Sequence, residues 1–116
     1  MRIQHISAIT FFVRNMPNAV DFYEKCGFDV TFGGPDAEFT TLQAQDAFVN
    51  LIDNGHYRPT QWGRVIFRVD SADNQYEHLV SNGITPEAPP KNAAWGERYF
   101  HVLDPDGHEL SFAETL

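Results

Sequence analysis

Cysteine is nearly absent from this 116-residue chain. Cys26 stands alone, so no intrachain disulfide forms and no zinc site built on several thiolates is available. Positive charge is also scarce: 8 Lys and Arg face 16 Asp and Glu, a formal charge of −8. Phosphate backbones are held by clustered Lys and Arg, so nucleic acid is not an expected partner. An anionic membrane surface is disfavoured for the same reason. No run approaches the roughly 20 apolar residues of a spanning helix. The opening MRIQHISAITFFVRN lacks the long apolar run and small-residue cleavage site of a secretory leader, so the cytoplasm is the expected compartment. A Gly-rich phosphate loop is missing. So is a Ser or Cys set beside a His and an acid in a recognisable nucleophilic order.

What the chain does have is apolar bulk and an internal repeat. Hydrophobic residues make up 42%, with ten Phe, four Tyr and two Trp, which suffices for a packed core in one domain of this size. Residues 8–28 (AITFFVRNMPNAVDFYEKCGF) run parallel to residues 64–84 (RVIFRVDSADNQYEHLVSNGI), displaced by 56 positions as Ala8 falls on Arg64. Phe11 then falls on Phe67, Val13 on Val69, Asn15 on Ser71, Tyr23 on Leu79 and Gly27 on Gly83. Chemical type is kept where identity is not, which marks a duplicated supersecondary unit.

Ile6–Val13 reads as a strand, rich in β-branched and aromatic residues. Asn15 caps a helix with Pro17 in its first turn, Ala19, Val20, Tyr23 and Cys26 recur at helical spacing, and Gly27 ends it. Strands are expected around 28–33, 38–44 and 47–53. HYRPTQW (56–62) connects the halves. In the second half Val65–Val69 is a strand, and Ser71 caps a helix with Ala72, Tyr76, Leu79 and Val80 on one face. Pro86–Ala94 reads as an exposed loop. Strands Glu97–Leu103 and His108–Ala113 flank the turn Asp104-Pro105-Asp106-Gly107, where both aspartates are expected to bond backbone N–H groups. Each half is thus strand–helix–strand–strand–strand. One sheet face is covered by the helix and the other is left open.

Duplicated βαβββ units carrying Val13…Asp21-Phe22-Tyr23…Gly27-Phe28 and the closing DPDGHELSF resemble the vicinal oxygen chelate superfamily over essentially the whole chain. Its members include glyoxalase I, extradiol dioxygenases and the fosfomycin and bleomycin resistance proteins. Trp95-Gly96-Glu97-Arg98-Tyr99-Phe100 followed by Asp104-Pro105-Asp106-Gly107 looks most like the bleomycin-resistance branch. The resemblance implies an α+β domain spanning 1–116, with module 1 at about 1–54 and module 2 at about 62–116. The two tandem βαβββ modules would form a curved, partly closed mixed sheet around a concave cavity. It also implies a homodimer.

Enzymes of this superfamily hold a divalent metal on the concave face. Carried onto this sequence, their ligand positions fall on Ala8, Asn50, Arg64 and Ser111. None is a good ligand, and a permanent guanidinium repels a divalent cation. His5 lies three positions before Ala8, on the other side of an extended strand. The expectation is therefore no metal and no cofactor. The residues expected to bind a ligand are Phe12, Phe48, Asn50, Trp62, Arg64, Arg68, Trp95, Tyr99, His101 and Ser111. An apolar concavity with a few convergent polar groups is how small-molecule sites are built. Arg64 and Arg68 either meet an anionic group on the ligand or pair with acidic side chains of this chain. Trp62 and Trp95 either stack on a planar ligand or cap the core or a dimer interface. His56 and His78 read as exposed, and His108 as a strand edge without chemistry. The expected function is metal-independent sequestration of an aromatic or amphipathic molecule such as an antibiotic. The alternatives are a lyase, isomerase or dioxygenase with a displaced metal site at His5, His101 or Glu109, and a protein–protein role in which a partner fills the concave face.

Overall fold

Alternation in the opening strand sends Phe11 inward and leaves Thr10 and Phe12 outside, and the same alternation recurs in the strands that follow. The computed structural model describes residues 1–55, 57 and 62–116. Two compact units form, Met1–Arg58 and Pro59–Leu116. The first contains β1 (Ile9–Phe12), α1 (Met16–Cys26), β2 (Asp29–Phe32), β3 (Phe39–Ala44) and β4 (Ala47–Ile52). The second contains β5 (Arg64–Arg68), α2 (Ala72–Ser81), β6 (Lys91–Asn92), β7 (Glu97–Leu103) and β8 (Glu109–Thr115). The class is α+β. Each unit holds a four-stranded mixed sheet, in the orders β1-β4-β3-β2 and β5-β8-β7-β6. Neither sheet closes into a barrel.

The helices start and stop as their sequences direct. The Asn15 side chain accepts from the Asn18 N–H, and the Ser71 side chain from the Asn74 N–H. Gly27 ends α1 at φ 117°, a left-handed conformation that costs a side chain energy. Gly33 is required for space, because a Cβ there would run into the Phe39 carbonyl.

The first and last strands of each unit pair in parallel, and the duplication survives in the register. Thr10 pairs with Asn50 in the first sheet, and Ile66, its counterpart 56 residues on, pairs with Ser111 in the second. Asn50 and Ser111 therefore occupy equivalent places. One face of each sheet packs on its helix. In the first unit Phe11, Val49 and Leu51 of the sheet and Val20 and Tyr23 of the helix are all buried, with Tyr23 stacked on Phe11 at 5.9 Å. In the second, Phe100, Phe112 and Phe67 form a ring cluster with Tyr76 of α2.

Several expectations are corrected. The first strand begins at Ile9, not Ile6, whose side chain lies in solvent. The stretch Pro86–Ala94 is not a simple exposed loop. Pro86 is buried, and Lys91–Asn92 forms the edge strand β6 by pairing with Tyr99 and Arg98. Propensity gave no sign of it, since two residues borrow their extended form from β7. Val80 does not share the buried face of α2 with Ala72 and Leu79; it is exposed. His56 and most of the connector lie outside the described residues.

Candidate functional site

Strand parity sorts the second sheet into two faces. Arg64, Ile66 and Arg68 of β5 lie beside Glu109, Ser111 and Ala113 of β8 on the open face, and Tyr99, His101 and Leu103 of β7 continue it. Val65 and Phe67 point to the helix side. Both arginines are paired within the chain. Arg64 Nη2 lies 2.8 Å from Glu109 Oε1, and Arg68 Nη2 lies 3.0 Å from Glu97 Oε2. The other oxygen of Glu97 accepts from Trp95 Nε1 at 2.8 Å. One carboxylate thus holds an indole and a guanidinium. Trp95 stacks on Tyr99 (6.0 Å between centroids, 24° between planes), and Lys91 Nζ sits 5.6 Å from the Tyr99 ring. Trp95 itself is 70% exposed.

Next along β7 lies His101. Its Nδ1 is buried, has no hydrogen-bond partner among the described residues, and stands 4.0 Å from Glu109 Oε1, the oxygen that also binds Arg64. Burial first, then the Arg64 guanidinium and Lys91, hold the imidazole below its ordinary value of 6.5, against the opposing pull of Glu109 and Glu87. Ser111, opposite His101 in the register, is 3% exposed, so its hydroxyl is largely withdrawn from solvent.

A groove of about 790 Å³ opens at the end of this sheet where β5 and β8 begin. Trp62, Arg64, Ile66 and Glu109 line it, together with Glu87, Leu103, Gly107 and His108. Trp62 Nε1 donates to His108 Nδ1 at 3.3 Å, across 46 residues of sequence. His108 is buried. The turn beneath is tied by Asp104, whose Oδ1 accepts from the N–H groups of Asp106 (2.9 Å) and His108 (2.8 Å).

In the first unit the open face carries Phe12, Phe48, Asn50 and Ile52. Asn50 Oδ1 accepts from Thr41 Oγ1 at 2.8 Å, and its amide N–H donates to Thr10 Oγ1 at 3.4 Å. Exposed Phe32 and Phe39 meet edge-on at 6.2 Å on the same sheet.

Among the expected ligand-binding residues, the groove gathers Trp62 and Arg64. Arg68, Tyr99, His101 and Ser111 lie in the second sheet and Trp95 in the turn before β7, all outside the groove lining, while Phe12, Phe48 and Asn50 belong to the first unit. Leu103 alternates with Tyr99 and His101, so parity alone places it on the open face. Glu87 and His108 gave no such signal. The first sits in a proline-rich stretch without periodicity, and the second depends on a partner half the chain away.

Residues 2–112 match the family described as the Glyoxalase/Bleomycin resistance protein/Dioxygenase superfamily. The chain belongs to this superfamily. A crystal structure of TnmS3, an antibiotic binding protein from Streptomyces sp. CB03234, superposes with TM-score 0.83 at 27% identity, covering 100% of this chain and 99% of that one. The bleomycin-binding protein complexed with bleomycin superposes with TM-score 0.78 at 24% identity, covering 97% of this chain and 100% of the other, and speaks for the fold alone. Rv0887c of Mycobacterium tuberculosis (strain ATCC 25618 / H37Rv), an uncharacterized protein, is 25% identical over 120 residues, 90% of this chain and 71% of that protein.

The superfamily's metal has poor support from the side chains at its expected positions. Ala8 offers no donor, the Asn50 amide is engaged by Thr41 and Thr10, and Arg64 brings a positive charge already bound to Glu109. Ser111 offers a neutral hydroxyl. These residues do not fit a divalent cation. Among the described residues no group of three or more His, Cys, Asp or Glu is placed to hold one.

Proposed function

We propose that the protein is a metal-independent small-molecule-binding member of the superfamily that sequesters an aromatic or amphipathic ligand such as an antibiotic. The observation that carries this reading is the exposed Trp95 indole, backed by Tyr99 and fixed at Nε1 by Glu97. A flat apolar surface with its one polar atom already satisfied suits stacking on a planar molecule. The likeness to TnmS3 supports the same reading. On this proposal Trp95, Tyr99, Arg68, His101 and Ser111 of the second unit contact the ligand, with Trp62 and Arg64 at the groove, and the first unit's sheet offers Phe12, Phe48 and Asn50 as a contact surface of its own. The working state is a cytoplasmic homodimer.

The test is a thermal-shift screen with bleomycin-like drugs and small aromatic acids, together with metal analysis of the purified protein. Stabilisation by one such compound, lost in Trp95→Ala and indifferent to Mn, Ni, Zn and Fe(II), is the expected result. Stoichiometric metal, or stabilisation by one of those ions, sinks metal independence.

A second reading is a lyase, isomerase or dioxygenase with a displaced metal. Its motive is the buried His101 Nδ1, without a hydrogen-bond partner among the described residues and facing Glu109 at 4.0 Å. It supplies two donors only, and Arg64 is bound to one of them. His5, the third candidate, lies in the other unit, exposed and bonded to the Ile6 carbonyl.

A further inference from the structure

We propose that the groove at the end of the second unit's sheet binds a cation carried on an apolar stem, an alkyl- or arylammonium. This rests on the small-molecule reading above and gives that ligand its charge.

The groove holds about 790 Å³, the size of pocket that takes a drug-sized molecule. Trp62 lines it at 46% exposure and has committed its N–H to His108, so a ligand meets this indole through the ring. Ile66 and Leu103 add apolar surface, at 60% and 50% exposure. Among the described residues the lining brings one permanent cation, Arg64, against two carboxylates, Glu87 and Glu109. Arg64 is bound to Glu109 at 2.8 Å, and Glu87 makes no ion pair with a described residue. Among these residues the charge left over is therefore negative and sits on Glu87.

That arrangement decides between the two signs. An incoming anion must part Arg64 from Glu109 and then lie in the field of Glu87. An incoming cation meets Glu87 with no pair to break, and its apolar stem meets an indole face that attracts cations. The sign that Arg64 suggests in the bare sequence is thus reversed by its neighbour on β8.

Three probes of one shape test this: 1-naphthylmethylammonium, 1-naphthalenemethanol and 1-naphthoate. They are titrated into nitrogen-15-labelled protein, and the two indole N–H resonances report on Trp62 and Trp95 separately. The ammonium is expected to move the Trp62 signal and to bind at least about 10-fold more tightly than the naphthoate. Glu87→Gln should weaken the ammonium by about 10-fold, the loss of one charged contact, while leaving the neutral alcohol unchanged. Glu109→Gln, which unpairs Arg64, should raise naphthoate affinity. A naphthoate that binds as well as the ammonium, or a Glu87→Gln protein that binds both as before, overturns the charge assignment and leaves the small-molecule reading standing. Shifts confined to Trp95, or no shift with any probe, overturn the groove assignment. The small-molecule reading is then decided separately by the ligand screen.

Discussion

Arg64 and Glu109 stand opposite each other where β5 and β8 pair in parallel, and their side chains close a 2.8 Å ion pair on the open face of the sheet. The position expected for the superfamily's metal in this half thus carries a cation with its own counter-ion. Both side chains keep substantial contact with water, at 45% and 30% exposure, so the pair adds little to folding. Exposed pairs of this kind contribute about 0–1 kcal/mol. Arg64→Ala should therefore lower unfolding free energy in urea by less than about 1 kcal/mol. A larger loss would mean that Arg64 is a structural residue and that its variants say nothing about binding.

Asp104 should matter far more to stability. Its buried Oδ1 accepts from the N–H groups of both Asp106 and His108. Asp104→Ala takes this shared acceptor from both donors in a buried turn, at an expected cost of about 2–4 kcal/mol in urea denaturation. Asp104→Asn retains one acceptor oxygen and should lose less than half as much. Equal losses for the two variants would show that charge, not acceptor geometry, holds the turn.

The repeat makes a paired prediction. Phe11 and Phe67 are counterparts 56 residues apart, yet Phe11 is 1% exposed and Phe67 is only partly buried. Phe11 also stacks on the fully buried Tyr23, whereas the residue matched to Tyr23 in the second unit is Leu79. Phe11→Ala should cost about 3–5 kcal/mol. Phe67→Ala should cost measurably less, because a partly exposed ring surrenders less transfer free energy and leaves a site water can reach. Denaturant melts of the two variants make the comparison, and equal losses would show that the duplicated cores are energetically equivalent.

Much of the fold was legible because side-chain alternation and helix caps are local. Asn15, Ser71 and Gly27 mark helix ends whatever the rest of the chain does. The 56-residue ruler carried over into strand register, since Thr10 and Ile66 meet Asn50 and Ser111 at equivalent places. Contacts set by tertiary approach were not legible. Nothing near Trp62 in sequence points to His108, and nothing near Glu87 points to the groove. The ion pairs fall between. Acidic partners for Arg64 and Arg68 were foreseeable from composition, but choosing Glu109 and Glu97 needed the register of β8 and the reach of β7.

His101 supplies the pH dependence. Its folded-state proton affinity lies below the ordinary value of 6.5, from burial first and the Arg64 guanidinium second. Between that lowered value and 6.5 the unfolded chain binds more protons at this position than the folded one does, so stability rises with pH across the interval. The contribution is complete above about 6.5 and is lost as pH falls toward the folded value, where both states become protonated. Melting temperature should therefore drop from pH 7.5 to pH 5, and His101→Gln, which does not titrate, should drop less over the same range. If the variant follows the wild-type curve, acidic side chains account for the whole slope and the imidazole sits in an ordinary setting. The same titration bears on the groove, because a protonated His101 faces the carboxylate oxygen that Arg64 already holds. Two cations then share Glu109. Arg64→Ala removes one of them and should bring the His101 imidazole back toward 6.5, read from its carbon-bound ring protons by NMR.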